Sequence, residues 1–280
     1  MQILSHRWLE PSNPNFEFSE SSFEAFENHL QRWYWLEFDI NFSRDWVCFI
    51  FHDESLARIS QGKDTKKFSE LSYNEIKKLW LWDNSFITFE QLIALVKKYR
   101  KAWEYSALHL KYPFHNQKTV DFLVAMFKKY SLYEYIFIFD VSIHIAKKIK
   151  SKNNKIRLFP SVAHDYDIKR YNECVWWTLL STQEVTQHSQ IFDWVWLDEW
   201  DRNDEDWWKK QFYTLKTFDY FRSLWLKIWL VTPELHGTSP WLLWWEKHQD
   251  SHWKELEQRV NVIIDLEPDF ICSDNLHLLK

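Results

Sequence analysis

Apolar and polar positions alternate along the chain in two rhythms. Short apolar runs predict strands at Gln2–Ser5, Leu36–Asn41, Val47–His52, Ser106–Lys111, Tyr135–Asp140, Ile156–Pro160, Phe192–Asp198, Lys227–Thr232 and Phe270–Ser273. Amphipathic stretches between them predict helices over Ser21–Gln31, Ser72–Leu79, Thr88–Tyr99, Gln117–Tyr130, Ile143–Ser151, Asp206–Leu215 and Ser251–Val260. Thr88 with Gln91 three residues on is a helix-start signature, because hydroxyl and amide each satisfy a backbone N–H. Strand–helix alternation without a linker-like tract predicts one α/β domain over residues 1–280. The strand count suits a TIM-type (β/α)8 barrel with one strand to spare. The link from Asn41 to Val47 is too short for a parallel crossover, which takes about a dozen residues or more. Leu36–His52 therefore reads as a hairpin, which makes the barrel slightly irregular. Residues 54–87 form a charge-rich insertion after the third strand, expected to cap the barrel.

Composition alters this picture at one point. The chain has 20 Trp and 2 Gly among 280 residues, whereas Gly usually makes up about 7% of a chain. Several Trp stand where the backbone wants Gly. Trp46 occupies the turn of the expected hairpin, where a positive φ is favoured. Trp80 and Trp103 follow helical stretches, near positions that favour left-handed Gly. Trp33 and Trp35 flank Tyr34 at the entry to a strand. UGA is read as Trp in some genetic codes and as Gly in others. The placement reads as glycine decoded as tryptophan at most of these positions, with Trp196, inside an apolar run, a candidate for genuine Trp. The alternative is an aromatic-rich protein that stacks on sugars.

The remaining composition narrows the class. A hydrophobic content of 46% and a charged content of 27% fit a globular chain. The net charge of −5 gives no basic footprint, so no nucleic-acid partner is expected. Cys48, Cys174 and Cys272 are odd in number and widely spaced, which argues against a disulfide framework or a zinc ribbon. The N-terminus lacks the pattern of a secretory signal, and no apolar run is long enough to span a membrane. A cytoplasmic location is the expectation.

Three short motifs end three early strands: His6-Arg7-Trp8, Glu37-Phe38-Asp39 and His52-Asp53-Glu54. Barrel enzymes carry their reacting groups at strand C-termini. Glu37 and Asp39 are two apart on a strand and so share a face. Paired carboxylates there suit a divalent cation with oxygen ligands. His6 and His52 suit proton transfer near neutral pH, and Arg7 offers a planar fork for phosphate. Asp198, Glu199 and Asp201 allow a solvated acidic loop as the simpler reading.

This set of motifs, in this order, resembles the glycerophosphodiester phosphodiesterase family. That family begins with a strand ending His-Arg-Gly, matched by His6-Arg7-Trp8 if Trp8 stands for Gly. It continues with Glu-x-Asp, matched by Glu37-Phe38-Asp39, and a Lys-Asp-Gly turn, matched by Arg44-Asp45-Trp46. A strand ending His-Asp follows, with a leucine and an arginine beyond it, matched by His52-Asp53, Leu56 and Arg58. The match is looser elsewhere, at Lys111 and Ser273-Asp274, and the run from Val231 to Gly237 looks like a subgroup motif.

The resemblance implies a barrel hydrolase that cleaves a phosphodiester to an alcohol and glycerol phosphate. Its substrate would be a small glycerophosphodiester or a lysophospholipid. Glu37 and Asp39 would bind a divalent metal, usually calcium or magnesium in the family. His6 and His52 would be acid and base, while Arg7, Lys111 and His236 would bind substrate. In many members a substrate hydroxyl attacks first, and water then opens the cyclic phosphate. The chain departs from the family at His109, which stands where a third metal-binding Glu is common. Imidazole suits zinc and other transition metals better than calcium or magnesium. Either the metal differs, with His109 as its third ligand, or the third ligand comes from elsewhere, with Asp140 and Asp198 as substitutes. A related phosphoinositide- or sphingolipid-cleaving phospholipase, including lyases, and a non-catalytic barrel that binds a phosphorylated ligand are the alternatives.

Overall fold

The computed structural model describes residues 2–6, 15–79, 85–175, 177–199, 211–233, 235 and 253–279. Its strands are β1 (Gln2–Ser5), β2 (Trp35–Phe42), β3 (Cys48–Ile50), β4 (Ser106–His109), β5 (Ile136–Phe139), β6 (Leu158–Phe159), β7 (Ser161–Ala163), β8 (Trp194–Asp198), β9 (Lys227–Val231) and β10 (Phe270–Ser273). The helices between them are α1 (Phe23–Gln31), α2 (Tyr73–Ile76), α3 (Phe89–Tyr99), α4 (Gln117–Tyr130), α5 (Ile143–Lys152), α6 (Asp165–Val175), α7 (Thr182–Gln187), α8 (Leu215–Ser223) and α9 (Trp253–Asp265).

The parallel strands follow one another in the order β6, β5, β4, β2, β1, β10, β9, β8, β7. Pro160 alone separates β6 from β7. Proline has no N–H for the ladder, and β6 pairs with β5 while β7 pairs with β8. The two short strands are halves of one stave, and the ring is an eight-stave (β/α)8 barrel. Among the described strands only β3 runs antiparallel, pairing Ile50 with Ile40 and Cys48 with Phe42. This is the expected hairpin, and it carries the second stave beyond the mouth of the barrel. The segment after it packs Leu56, Phe68, Leu71, Ile76 and Phe86 against Phe49 and Phe51 as a separate apolar cluster.

Side chains at the helix starts satisfy the backbone N–H groups that have no partner within the helix. Ser22, Ser72, Thr88, Asn116, Ser142, Ser181 and Thr214 each accept such a bond. The Thr88–Gln91 box closes as its spacing predicts. Thr214 corrects one expected helix. Residues 211–214 lie outside any helix, and α8 begins at Leu215, where the Thr214 hydroxyl caps it. Residues 206–210 of that expected helix lie outside the described residues.

Alternation along the staves sorts side chains into two layers. Leu36, Phe38, Leu108, Ile136, Ile138, Val195, Leu197, Ile228, Leu230 and Ile271 face outward into the main core, which the helices cover. Tyr105, Phe137, Phe139, Phe159, Trp194, Trp196, Trp229 and Phe270 fill the lumen. Their rings stack closely, with Trp229 on Phe270 at 3.7 Å and Trp196 on Phe139 at 4.1 Å between centroids.

The tryptophans outside the lumen tell a different story. Trp33, Trp46, Trp103 and Trp225 all have positive φ, at 67°, 64°, 74° and 62°. A bulky side chain in that region is strained, and Gly is its usual occupant. Trp225 is 93% exposed, so no packing offsets the strain. Trp46 sits in the hairpin turn closed by its N–H donating to the Ser43 carbonyl at 2.9 Å. These four placements match the reading of glycine decoded as tryptophan; Trp35 departs from it, since it lies within β2 and has no positive φ, and Trp80 lies outside the described residues.

Candidate active site

The inward positions of β2 end in Glu37 and Asp39. In the parallel register Asp39 lies beside His109, the last residue of β4. One ligand atom from each of Glu37, Asp39 and His109 lies within 4.8 Å of the others, and all three residues are buried. Nδ1 of His109 is 2.9 Å from Asp39 Oδ1, and Nε2 is 3.2 Å from Asp140 Oδ2. Lys111 places its ammonium 3.1 Å from Asp39 Oδ1 and donates to the His52 carbonyl.

Neighbouring charges decide the protonation of this cluster. Burial alone would raise the Asp39 pKa, but Lys111, His52 and His109 hold its carboxyl well below the usual range. Burial alone would depress the His109 pKa, but its hydrogen bonds to Asp140 and Asp39 push it up to about 9.

Two further histidines are backed by carboxylates. His6 Nδ1 lies 3.0 Å from Oδ1 of Asp274, just past β10. His52 Nδ1 lies 2.6 Å from Asp53 Oδ1. Arg58 Nε donates to Asp53 Oδ2 at 2.7 Å, and Arg58 Nη1 donates to Glu20 Oε2 at 2.9 Å. Burial alone would raise the Asp53 pKa. The His52 and Arg58 contacts outweigh it and bring the pKa to about 2. Each carboxylate fixes the orientation and tautomer of its histidine.

The structure thus gathers Glu37, Asp39, His52, His109 and Lys111 at one mouth of the barrel, and His6 joins them from the end of β1. Arg7 and His236 lie outside the described residues, as does Trp8. Asp198 and Glu199 are not a solvated loop: both are buried. Glu199 accepts from the backbone of Phe212 and Tyr213 and pairs with Arg259 at 2.5 Å, so it clasps the chain together. Neither Asp198 oxygen has a hydrogen-bond partner in good geometry among the described residues. Burial, with the charge of Asp140 beside it, pushes the Asp198 pKa well up. The pairing of Asp274 with His6 had no local signal, because 268 positions separate them. Asp53 was legible, since it directly follows His52.

The Glu37–Asp39–His109 set fits a divalent cation by its donor chemistry, with two carboxylates and one imidazole.

A family model described as the glycerophosphoryl diester phosphodiesterase family matches residues 6–202. Solved structures share the fold. A candidate glycerophosphodiester phosphodiesterase from Galdieria sulphuraria aligns with a TM-score of 0.71 at 15% identity, over 99% of this chain and 96% of that one. A glycerophosphodiester phosphodiesterase from Thermotoga maritima gives 0.62 at 15% identity, over 99% and 96%. A phosphodiesterase from Oleispira antarctica, solved with the product sn-glycerol-3-phosphate, gives 0.63 at 14% identity, over 98% and 93%. No curated protein matches the sequence.

Proposed function

The chain belongs to the glycerophosphoryl diester phosphodiesterase family and is a phosphodiester hydrolase, and on that premise we propose that it cleaves a glycerophosphodiester to an alcohol and glycerol phosphate with the residues gathered at the barrel mouth. The observation that carries this reading is the pair of carboxylate-backed histidines beside the Glu37–Asp39–His109 cluster. The product held by the Oleispira antarctica structure supports glycerol phosphate as the product here.

His6 and His52, with Nδ1 held by Asp274 and Asp53, exchange protons with substrate at Nε2. One accepts the proton of the attacking hydroxyl, and the other donates to the leaving oxygen. Lys111, with Arg7 of the same motif set, holds the phosphate and its developing charge. When bound by Glu37, Asp39 and His109, a divalent cation supplies Lewis acidity toward a phosphoryl oxygen. Asp39, already anionic beside Lys111, keeps the ammonium in place.

Among the described residues no helix is long and apolar enough to cross a membrane. Cys48 and Cys272 are buried free thiols, which supports the reducing cytoplasm as the site of action. The test is hydrolysis of glycerophosphocholine and of a lysophospholipid, each with and without chelator. Release of the alcohol, abolished by chelator, is expected. No product with any divalent metal overturns the reading.

A further inference from the structure

One carboxylate stands just behind the cation-binding cluster. Asp140 follows β5 with φ at 59°, in the left-handed region, and is 1% exposed. A non-glycine residue is held there only where its surroundings over-determine it, and here they do. Its Oδ1 accepts from the Thr178 N–H at 3.1 Å and from the Thr178 hydroxyl at 2.7 Å. The same hydroxyl approaches the Asp140 carbonyl at 2.7 Å. Oδ2 remains for His109 Nε2, at 3.2 Å. The imidazole plane is fixed as well, because Phe139 stacks on it at 4.7 Å and 17°.

We propose that Asp140 is a positioning residue which takes the Nε2–H of His109, turns the Nδ1 lone pair toward Glu37 and Asp39, and so makes the site select a first-row transition cation, manganese or zinc, over calcium or magnesium. This rests on the cation reading of the previous subsection. Calcium and magnesium take oxygen ligands, whereas imidazole suits transition ions. A carboxylate behind a ligating histidine sets its tautomer and raises its basicity. One ligand atom from each of Glu37, Asp39 and His109 lies within 4.8 Å of the others, close enough to share one ion once it displaces the hydrogen bond between Nδ1 and Asp39.

Calorimetric titration of the chelator-stripped full chain with manganese, zinc, calcium and magnesium chlorides tests this. Manganese or zinc is expected to bind at least about tenfold more tightly than calcium. Asp140→Asn is expected to weaken that binding by about 10- to 100-fold while calcium affinity changes by less than about threefold. His109→Glu is expected to shift the preference toward calcium. Thr178→Val, which keeps the carboxylate but removes its hydroxyl donor, is expected to weaken manganese or zinc binding in the same direction should Asp140→Asn not fold. Tighter calcium binding by the wild type overturns the proposal, and so does unchanged manganese and zinc affinity in the variants. In both cases the cation site itself stands. Absence of binding by all four cations overturns the cation site and the proposal together.

Discussion

The floor and the mouth of the barrel lumen are built on the same staves from opposite chemistry. On β8, Trp194 and Trp196 lead to Asp198; Tyr105 just before β4 and Ala107 on it lead to His109; on β2, Trp35 leads to Glu37 and Asp39. The floor is held by apolar area and by stacking between neighbouring rings, which need shape but no opposite charge. The mouth buries charges, which are costly unless each is answered. Asp39 has Lys111 and His109, Asp53 has His52 and Arg58, and His6 has Asp274. The difference teaches that floor residues act through packing while mouth residues act through linked charges. A substitution in the floor should therefore change stability, and one in the mouth should change chemistry.

The largest expected effect lies in the mouth. His52→Ala and His6→Ala should each lower kcat by about 10²- to 10⁴-fold in a phosphodiester assay, with thermal melting little changed. An unchanged rate in either variant removes that histidine from the reaction. In the floor, Trp229→Ala should cost about 3–5 kcal/mol in denaturant unfolding, since the ring is fully buried against Phe270. A cost below that of an ordinary surface change would mean that the floor does not support the barrel.

A smaller effect comes from acid. The folded-state pKa of Asp53 is depressed from 3.8 to about 2. Its contribution is present above the unfolded value and lost as pH falls through the folded one. The shift corresponds to about 2 kcal/mol, seen as a fall in stability between about pH 5 and 2 that Asp53→Asn should flatten. Equal acid sensitivity in both proteins would contradict the linkage.

The smallest effect concerns the tryptophans outside both regions. Trp33→Gly and Trp225→Gly should each stabilise the fold by up to about 1 kcal/mol, because they relieve a side chain at positive φ. Trp194, Trp196 and Trp229 in the floor give the opposite expectation. Where the gene is translated by its own code, the intact mass should fall short of that required by 20 Trp. A mass that matches all of them ends the glycine reading.

Much of the fold was legible because its signals are local. Apolar runs marked β1 and β10 to the residue and the other six staves to within a few positions. β7 escaped because Pro160 ends the apolar run that β6 begins, and only pairing with β8 shows that the stave continues. The expected helix over Asp206–Leu215 fails at residues 211–214, because Thr214 is a cap from which α8 runs onward at Leu215. In the site, Glu37 with Asp39 and His52 with Asp53 were visible from spacing alone. Asp274 behind His6, Asp140 behind His109 and Thr178 behind Asp140 were not, because each contact joins distant parts of the chain.

By itself the sequence determined the alternation of strand and helix, the early hairpin, the motifs at the strand ends and the excess of tryptophan at turn positions. These follow from periodicity, link length and backbone preference, all of which act between near neighbours. The tertiary structure alone decided that Asp198 and Glu199 are buried, that His109 is clasped between Asp39 and Asp140, and that His6 meets Asp274. Closing the barrel brings the ends of separate staves within hydrogen-bond reach and removes their water. Charge and protonation are then set by neighbours that the order of residues does not reveal.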